Sequence, residues 1–236
     1  RDFEVACLVR TSSDTSKLKE TAAIAGRKVV LAAGTLQSSD SIISSLKKTE
    51  SAIYMVDLEH TNLVENFIDA AQRAGLKRAV FISSTTVLVP LKGTIKDRKL
   101  KSEEFIKNSG LDYTILRPSM IYGSKDDNNF SKMIEFVKKK GFFVTFGSGN
   151  NLIQPVYIKD VAEAIASVID NKRTYGRIYN IAGREPLKYS RMLEIIKSRL
   201  KRQFKVIRVP IGTAGFFVSI YAALSRNPSL TPDQIE

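Results

Sequence analysis

The stretch LDYTILRPSMIYG, residues 111–123, together with QPVYIKDVAEAIASVI, residues 154–169, decides how this chain folds. In the first, the apolar run YTIL predicts a buried strand, and Arg117-Pro118 takes the chain out of it into a loop, because proline has no amide to give to a ladder. The second predicts a short strand followed by a helix over 161–170, with Asp160 as its N-cap.

Outward from these two stretches, apolar runs alternate with helical periodicity almost throughout. Strands are expected at 3–9, 28–32, 52–56, 78–83, 113–117, 142–146 and 178–181. Helices are expected at 39–47, 62–74, 97–108, 130–139 and 189–200, with Gly75 as the left-handed cap that ends the second of them. Residues 10–27 carry a polar segment rich in Ser and Thr. The alternation is that of an α/β fold, a parallel sheet wrapped by helices. No repeat or low-complexity linker interrupts it, so one domain is expected over residues 1–236.

A formal net charge of +13 raises the question of nucleic acid. The basic residues are spread through helices, as in KKK at 138–140 and KSRLKR at 197–202, without interleaved aromatics or zinc ligands. A solvated basic surface is the better reading, with no specific nucleic acid as partner and weak attraction to anionic cofactors. Cys7 is the one cysteine and cannot form an internal disulfide, which fits a reducing, cytoplasmic compartment. His60 is the one histidine, so metal and hydrolase chemistry lack their raw material. The apolar segment 207–224 is broken by Arg208 and Pro210 and falls short of the roughly 20 residues that a membrane span needs. A strand followed by a buried or surface-docked helix is expected there, with peripheral membrane contact as the lesser alternative.

The order and spacing of the two opening stretches resemble the atypical and extended short-chain dehydrogenase/reductase superfamily, in its epimerase-like and NmrA-like branches. The resemblance covers about residues 3–200. It implies a Rossmann-like doubly wound parallel sheet, with a small C-terminal α/β substrate-side region over about 126–236. It also implies a nicotinamide dinucleotide, an unknown small-molecule substrate and, through the helices flanking the central strands, the option of a homodimer. No GxGxxG or GxxGxxG occurs in the sequence. RDFEVACLVR is similar to the family's second strand, which places the first strand, the glycine turn and the first helix upstream of Arg1.

Site residues follow from the same resemblance. Arg10, with Thr11 and Ser12, stands where relatives read the adenosine ribose, and its positive charge favours NADP while NAD stays open. Gly34, Thr35 and Leu36 replace a Gly-Asp-Leu/Val element that faces adenine. Ser84 matches the serine that holds a substrate oxygen, with Ser83 and Thr86 beside it, and Pro118 and Met120 line the nicotinamide wall. Relatives use a Tyr-x-x-x-Lys pair as acid and ribose grip. KLKSEEFIKNSGLDYTILRP aligns Lys99 with that lysine and leaves Ile95 where the tyrosine stands. A second register would use Lys101 and Asp97, again without a tyrosine. Two functions stay open: a reductase or epimerase that retains Ser84 and Lys99, or a dinucleotide-binding sensor, scaffold or assembly subunit without turnover.

Overall fold

The computed structural model describes residues 3–90, 93–125, 127 and 129–210. The element order is β1 (Val5–Val9), α1 (Ser16–Ile24), β2 (Val29–Ala33), α2 (Ser39–Leu46), β3 (Ser51–Tyr54), α3 (Thr61–Arg73), β4 (Arg78–Ile82), α4 (Thr94–Lys107) and β5 (Asp112–Pro118). It continues with β6 (Ile121–Tyr122), α5 (Phe130–Lys140), β7 (Phe142–Phe146), β8 (Leu152–Ile153), β9 (Val156–Tyr157), α6 (Ile158–Val168), β10 (Arg177–Ile181), β11 (Leu187–Lys188), α7 (Tyr189–Leu200) and β12 (Lys205–Val209). The predicted α/β alternation is therefore present, with strand 142–146 and helix 189–200 at the expected bounds.

Two compact units emerge. Of the described residues, the first gathers those within 3–83, 98–115 and 168–178, and the second those within 84–97, 116–167 and 179–210. In the first unit β1 and β2 run parallel in register from Val5–Val29 to Val9–Ala33. β3 and β4 run parallel from Ser51–Arg78 to Tyr54–Phe81, inside a sheet of order β10-β5-β4-β3. A helix follows each leading strand of these pairs, as a parallel crossover requires. β4 is buried along its first four residues, which explains its unbroken apolar run. Phe81, Phe67 and Tyr54 form an aromatic cluster with centroids 5.1 to 5.8 Å apart, and Val64, Ala70, Ala71, Leu76 and Ile115 complete the core around them. Among the described residues, β1 pairs with β2 alone, and β3 ends its own sheet.

The predicted glycine cap of α3 takes a definite form. Gly75, at φ +76°, donates to the Gln72 carbonyl at 3.0 Å, and Leu76 donates to Ala71 at 2.9 Å. This is a Schellman motif, with Leu76 buried as its hydrophobic contact.

In the second unit the two stretches that decided the reading are knitted together. The Ser119 hydroxyl donates to the Gln154 carbonyl, the Val156 amide donates to the Met120 carbonyl at 3.0 Å, and β6 pairs in parallel with β9. Gln154 Nε2 donates to the Gly183 carbonyl at 2.6 Å, at a place so close that a Cβ on Gly183 would sit 2.1 Å from the Pro155 carbonyl oxygen. β7 and β12 form a second parallel ladder here.

Three expectations are corrected. Residues 16–24 form α1 inside the segment expected to be merely polar; none of its residues is buried, so no apolar stripe marks it. Asp160 lies in the first turn of α6 and not at its cap, because the helix begins at Ile158; there its charge still complements the amino-terminal dipole. α4 starts at Thr94, three residues earlier than expected. The strand expected at the start of 207–224 is the end of β12, and the helix expected to follow lies outside the described residues.

Candidate functional site

The candidate residues of the first unit collect at the carboxyl ends of its parallel strands, where ligands bind in open α/β sheets. Beyond β1 the chain turns, with the Ser13 amide donating to the Arg10 carbonyl at 2.9 Å, and Arg10, Thr11 and Ser12 are exposed on that turn. Gly34 follows β2 and donates to the Val9 carbonyl at 2.9 Å, so the 34–36 loop stands beside the Arg10 turn. A Cβ on Gly34 would lie 2.7 Å from Ser41 Cβ and 2.8 Å from Leu8 Cδ1, which requires glycine for packing alone. Thr35 Oγ1 accepts from the Gln37 amide at 3.3 Å, and the Leu36 carbonyl accepts from Asn66 Nδ2 at 2.6 Å, so both loop residues already have partners.

α4 has an unusual buried stripe of Lys99, Ser102, Glu103 and Ile106. A polar group taken out of water needs a partner, and each of these has one. Lys99 Nζ pairs with Asp57 at 2.7 Å to Oδ1 and 2.9 Å to Oδ2. Ser102 donates to the Leu58 carbonyl at 2.6 Å, and the Ser83 hydroxyl donates to Glu103 Oε1 at 2.6 Å. Ser83 is thereby committed inside the unit. Lys101, the lysine of the second register, is exposed with its ammonium 5.5 Å over the Phe105 ring.

Asp57 went unrecognised in the sequence, and so did Glu103. The available signal was α4 itself, where Lys99, Glu103 and Ile106 follow helical spacing on what must be the inner face. Burial raises the Asp57 carboxyl, but the hydrogen bonds from Lys99 and the Glu59 amide, with the charges of Lys99 and His60, outweigh it and leave the group below its ordinary range. The Tyr54 hydroxyl is buried with no partner among the described residues. Burial first, and the Asp57 charge second, push it above the ordinary phenol range, so it is a poor replacement for the absent acid.

In the second unit Ser84 opens a short helical turn. Its Oγ accepts from the Thr86 amide at 3.2 Å and shares a 2.8 Å hydrogen bond with Thr86 Oγ1. Pro118 is buried, whereas Met120 is 37 % and Ile95 38 % exposed. Ile95 stands one helical turn before Lys99 on α4 and contributes no proton. Tyr122 and Tyr157 pack with tilted rings, centroids 5.5 Å apart, beside Gly123, whose φ of +108° and close contact with the Tyr157 ring exclude a side chain. A cavity of about 240 Å³ between Thr145, Ser190, Lys197 and Arg208 holds none of the expected site residues and is smaller than an ordinary ligand pocket. Among the described residues no group of three metal-ligating side chains occurs, and no helix is long and apolar enough to cross a membrane.

Parallel strands, crossover helices and polar residues gathered at the strand ends define a Rossmann-like dinucleotide-binding fold. The chain belongs to the family of NAD(P)H-binding domains, which matches residues 1–172. It is 26% identical over 188 residues to the mitochondrial NADH dehydrogenase [ubiquinone] 1 alpha subcomplex subunit 9 of Arabidopsis thaliana, covering 74% of this chain and 46% of that subunit. It is 25% identical over 222 residues to the photosystem II assembly factor Ycf39 of Synechocystis, covering 91% and 66%. The NADPH-dependent quinone oxidoreductase QOR2 of Escherichia coli, solved with NADPH, superposes with a TM-score of 0.73 at 18% identity over 98% of this chain and 75% of that one. The chain thus spans about half the length of the plant subunit it matches.

Proposed function

We infer that this NAD(P)-binding protein takes NADP in preference to NAD and holds it without turnover, as an accessory or assembly protein. Arg10, with Thr11 and Ser12, would meet the adenosine 2′-phosphate, the 34–36 loop would border the adenine, and Lys99 would reach the nicotinamide ribose. The bound group would supply hydride chemistry, but these residues supply binding and orientation and no acid. The observation that carries the reading is the Lys99–Asp57 pair together with Ile95: the ammonium that would depress a tyrosine pKa is already neutralised, and no tyrosine stands on its helix face. The names of the plant subunit and of Ycf39 support an accessory or assembly function. The cytoplasm is the proposed location, supported by the lone cysteine.

The second reading, a reductase or epimerase, draws support from the Ser84–Thr86 hydroxyl pair, which has the chemistry to hold a carbonyl oxygen. Titration of the full-length protein with NADPH, NADP and NADH, followed by a screen of carbonyls, quinones and nucleotide sugars, separates the two. Binding without oxidation of NADPH is expected. Turnover of any substrate in the panel would replace the accessory reading with the enzymatic one, and failure to bind any of the nucleotides would remove both.

A further inference from the structure

The Lys99–Asp57 pair is more than a fastener. The segment after β3 is already tied to α4 by the Ser102 hydroxyl, which donates to the Leu58 carbonyl at 2.6 Å and lies 3.2 Å from Thr61 Oγ1, by the Thr61 hydroxyl donating to the Arg98 carbonyl at 3.4 Å, and by Arg98 facing Glu59 at 3.9 Å. What the ion pair adds is a particular set of unused hydrogen-bonding positions.

An ammonium carries three N–H donors and a carboxylate offers about four acceptor positions. Two of the Lys99 donors go to Asp57, at 2.7 and 2.9 Å, and Asp57 Oδ1 also accepts from the Glu59 amide at 2.9 Å. Among the described residues one donor on Nζ and one acceptor position on Oδ2 are left, on neighbouring atoms. The Asp57 side chain is 49% exposed and the Lys99 side chain 9%, so a ligand meets the carboxylate first and the ammonium behind it.

We propose that Asp57 is a specificity-determining residue of the dinucleotide site, and that with Lys99 it takes the vicinal hydroxyls of a ribose and turns phosphate away; this rests on the dinucleotide-binding reading above. A hydroxyl both donates and accepts, so a diol satisfies the free acceptor and the free donor together. A phosphate oxygen only accepts, and it would approach the Asp57 charge before it reached Lys99. An unpaired lysine at the same place would have the opposite preference, since a compact ammonium is a good phosphate binder. Asp57 therefore sends the phosphates of the dinucleotide elsewhere and reserves this point for the sugar.

The test compares NADPH with 2′,5′-ADP, which keeps the adenosine and its 2′-phosphate and lacks the nicotinamide ribose. In the full-length protein, Asp57→Asn should raise the Kd for NADPH about tenfold, the effect of losing one charge-assisted hydrogen bond, and leave that for 2′,5′-ADP unchanged. Inorganic phosphate should compete with NADPH more strongly in the variant than in the wild type, where Arg10 is its one proposed contact. Should Asp57→Asn fail to fold, Asp57→Glu, which keeps the charge and moves it by one methylene, is read by the same selective loss. Equal losses for both ligands, or an unchanged NADPH affinity, would overturn this inference while the dinucleotide reading stands. A wild type that binds neither ligand would remove that reading and this inference with it.

Discussion

Arg78 shows how much a single side chain can organise. It is 4% exposed, and its guanidinium donates to the carbonyls of Val168 at 2.6 Å, Asp112 at 2.7 Å and Ile169 at 2.9 Å while stacking 4.4 Å over the Tyr175 ring. Val168 is the last residue of α6, so two of these acceptors are carbonyls at a helix end, where intrahelical partners run out. Burial lowers the Arg78 pKa, with the Tyr175, Asp112 and Asp170 charges opposing it, and the group remains a cation. Arg78→Ala takes the guanidinium donor from these three carbonyls and from that of Ala79 at 3.3 Å, and should cost more than about 3 kcal/mol in urea unfolding. Arg78→Lys keeps the charge but not the planar fork and should recover less than half of that loss. At Asp57 the expectation concerns pH. Its folded pKa is depressed, so its contribution to stability is present above the unfolded carboxylate value near ~3.9 and is lost as pH falls through the folded one. Circular dichroism of unfolding between pH 7 and pH 2 should show a shallower acid limb for Asp57→Asn than for the wild type, and identical limbs would remove the pair from the acid response.

At the scale of elements, α4 carries a contradiction that the structure resolves. Its buried face is mostly polar, so it is held by named partners where α3 is held by Val64, Phe67, Ile68, Ala70 and Ala71. Replacing Glu103 with Leu should therefore destabilise the protein by about 1–3 kcal/mol, because Ser83 loses its acceptor inside the unit, while Glu103→Gln should cost less by keeping a side-chain oxygen there. Thermal unfolding of both variants checks this, and equal losses would mean that packing volume and not the hydrogen bond governs the position. The same contrast explains what was legible beforehand. Strands such as β4 and helices such as α3 announce themselves because their burial follows a period of two or of 3.6 residues. α1 has no buried residue and leaves no such mark, and a helix with Lys99 and Glu103 inside hides its inner face behind charges. The lysine register was legible from KLKSEEFIKNSGLDYTILRP, but its acidic partner was not, because Asp57 lies 42 residues away and only the tertiary fold joins them. The knot between Ser119, Met120, Gln154 and Val156 is the intermediate case: both stretches stood out in the sequence, and their hydrogen bonds explain why they occur together.

At the scale of the whole molecule the question is whether its charge or its site selects the nucleotide. Thirty-seven basic residues against twenty-four acidic ones give a net +13, spread along the chain. Such a field attracts any anion, NADH and NADPH alike, and salt at 0.15 M screens it beyond about 8 Å. A local contact behaves differently. Arg10 sits exposed on the turn after β1, beside the 34–36 loop, and its fork can grip a phosphate in two places. Reversing its charge changes the net charge by two units, the same as reversing any other arginine, so an exposed control from the second unit, Arg202→Glu, isolates the local part. At 0.15 M salt Arg10→Glu should raise the Kd for NADPH about tenfold or more and that for NADH by less than about twofold, while Arg202→Glu should shift both slightly and equally. Calorimetry of the full-length protein measures all four changes. If Arg10→Glu weakens NADH and NADPH to the same degree, the turn after β1 does not read the 2′-phosphate, and the preference for NADP loses its only residue-level support.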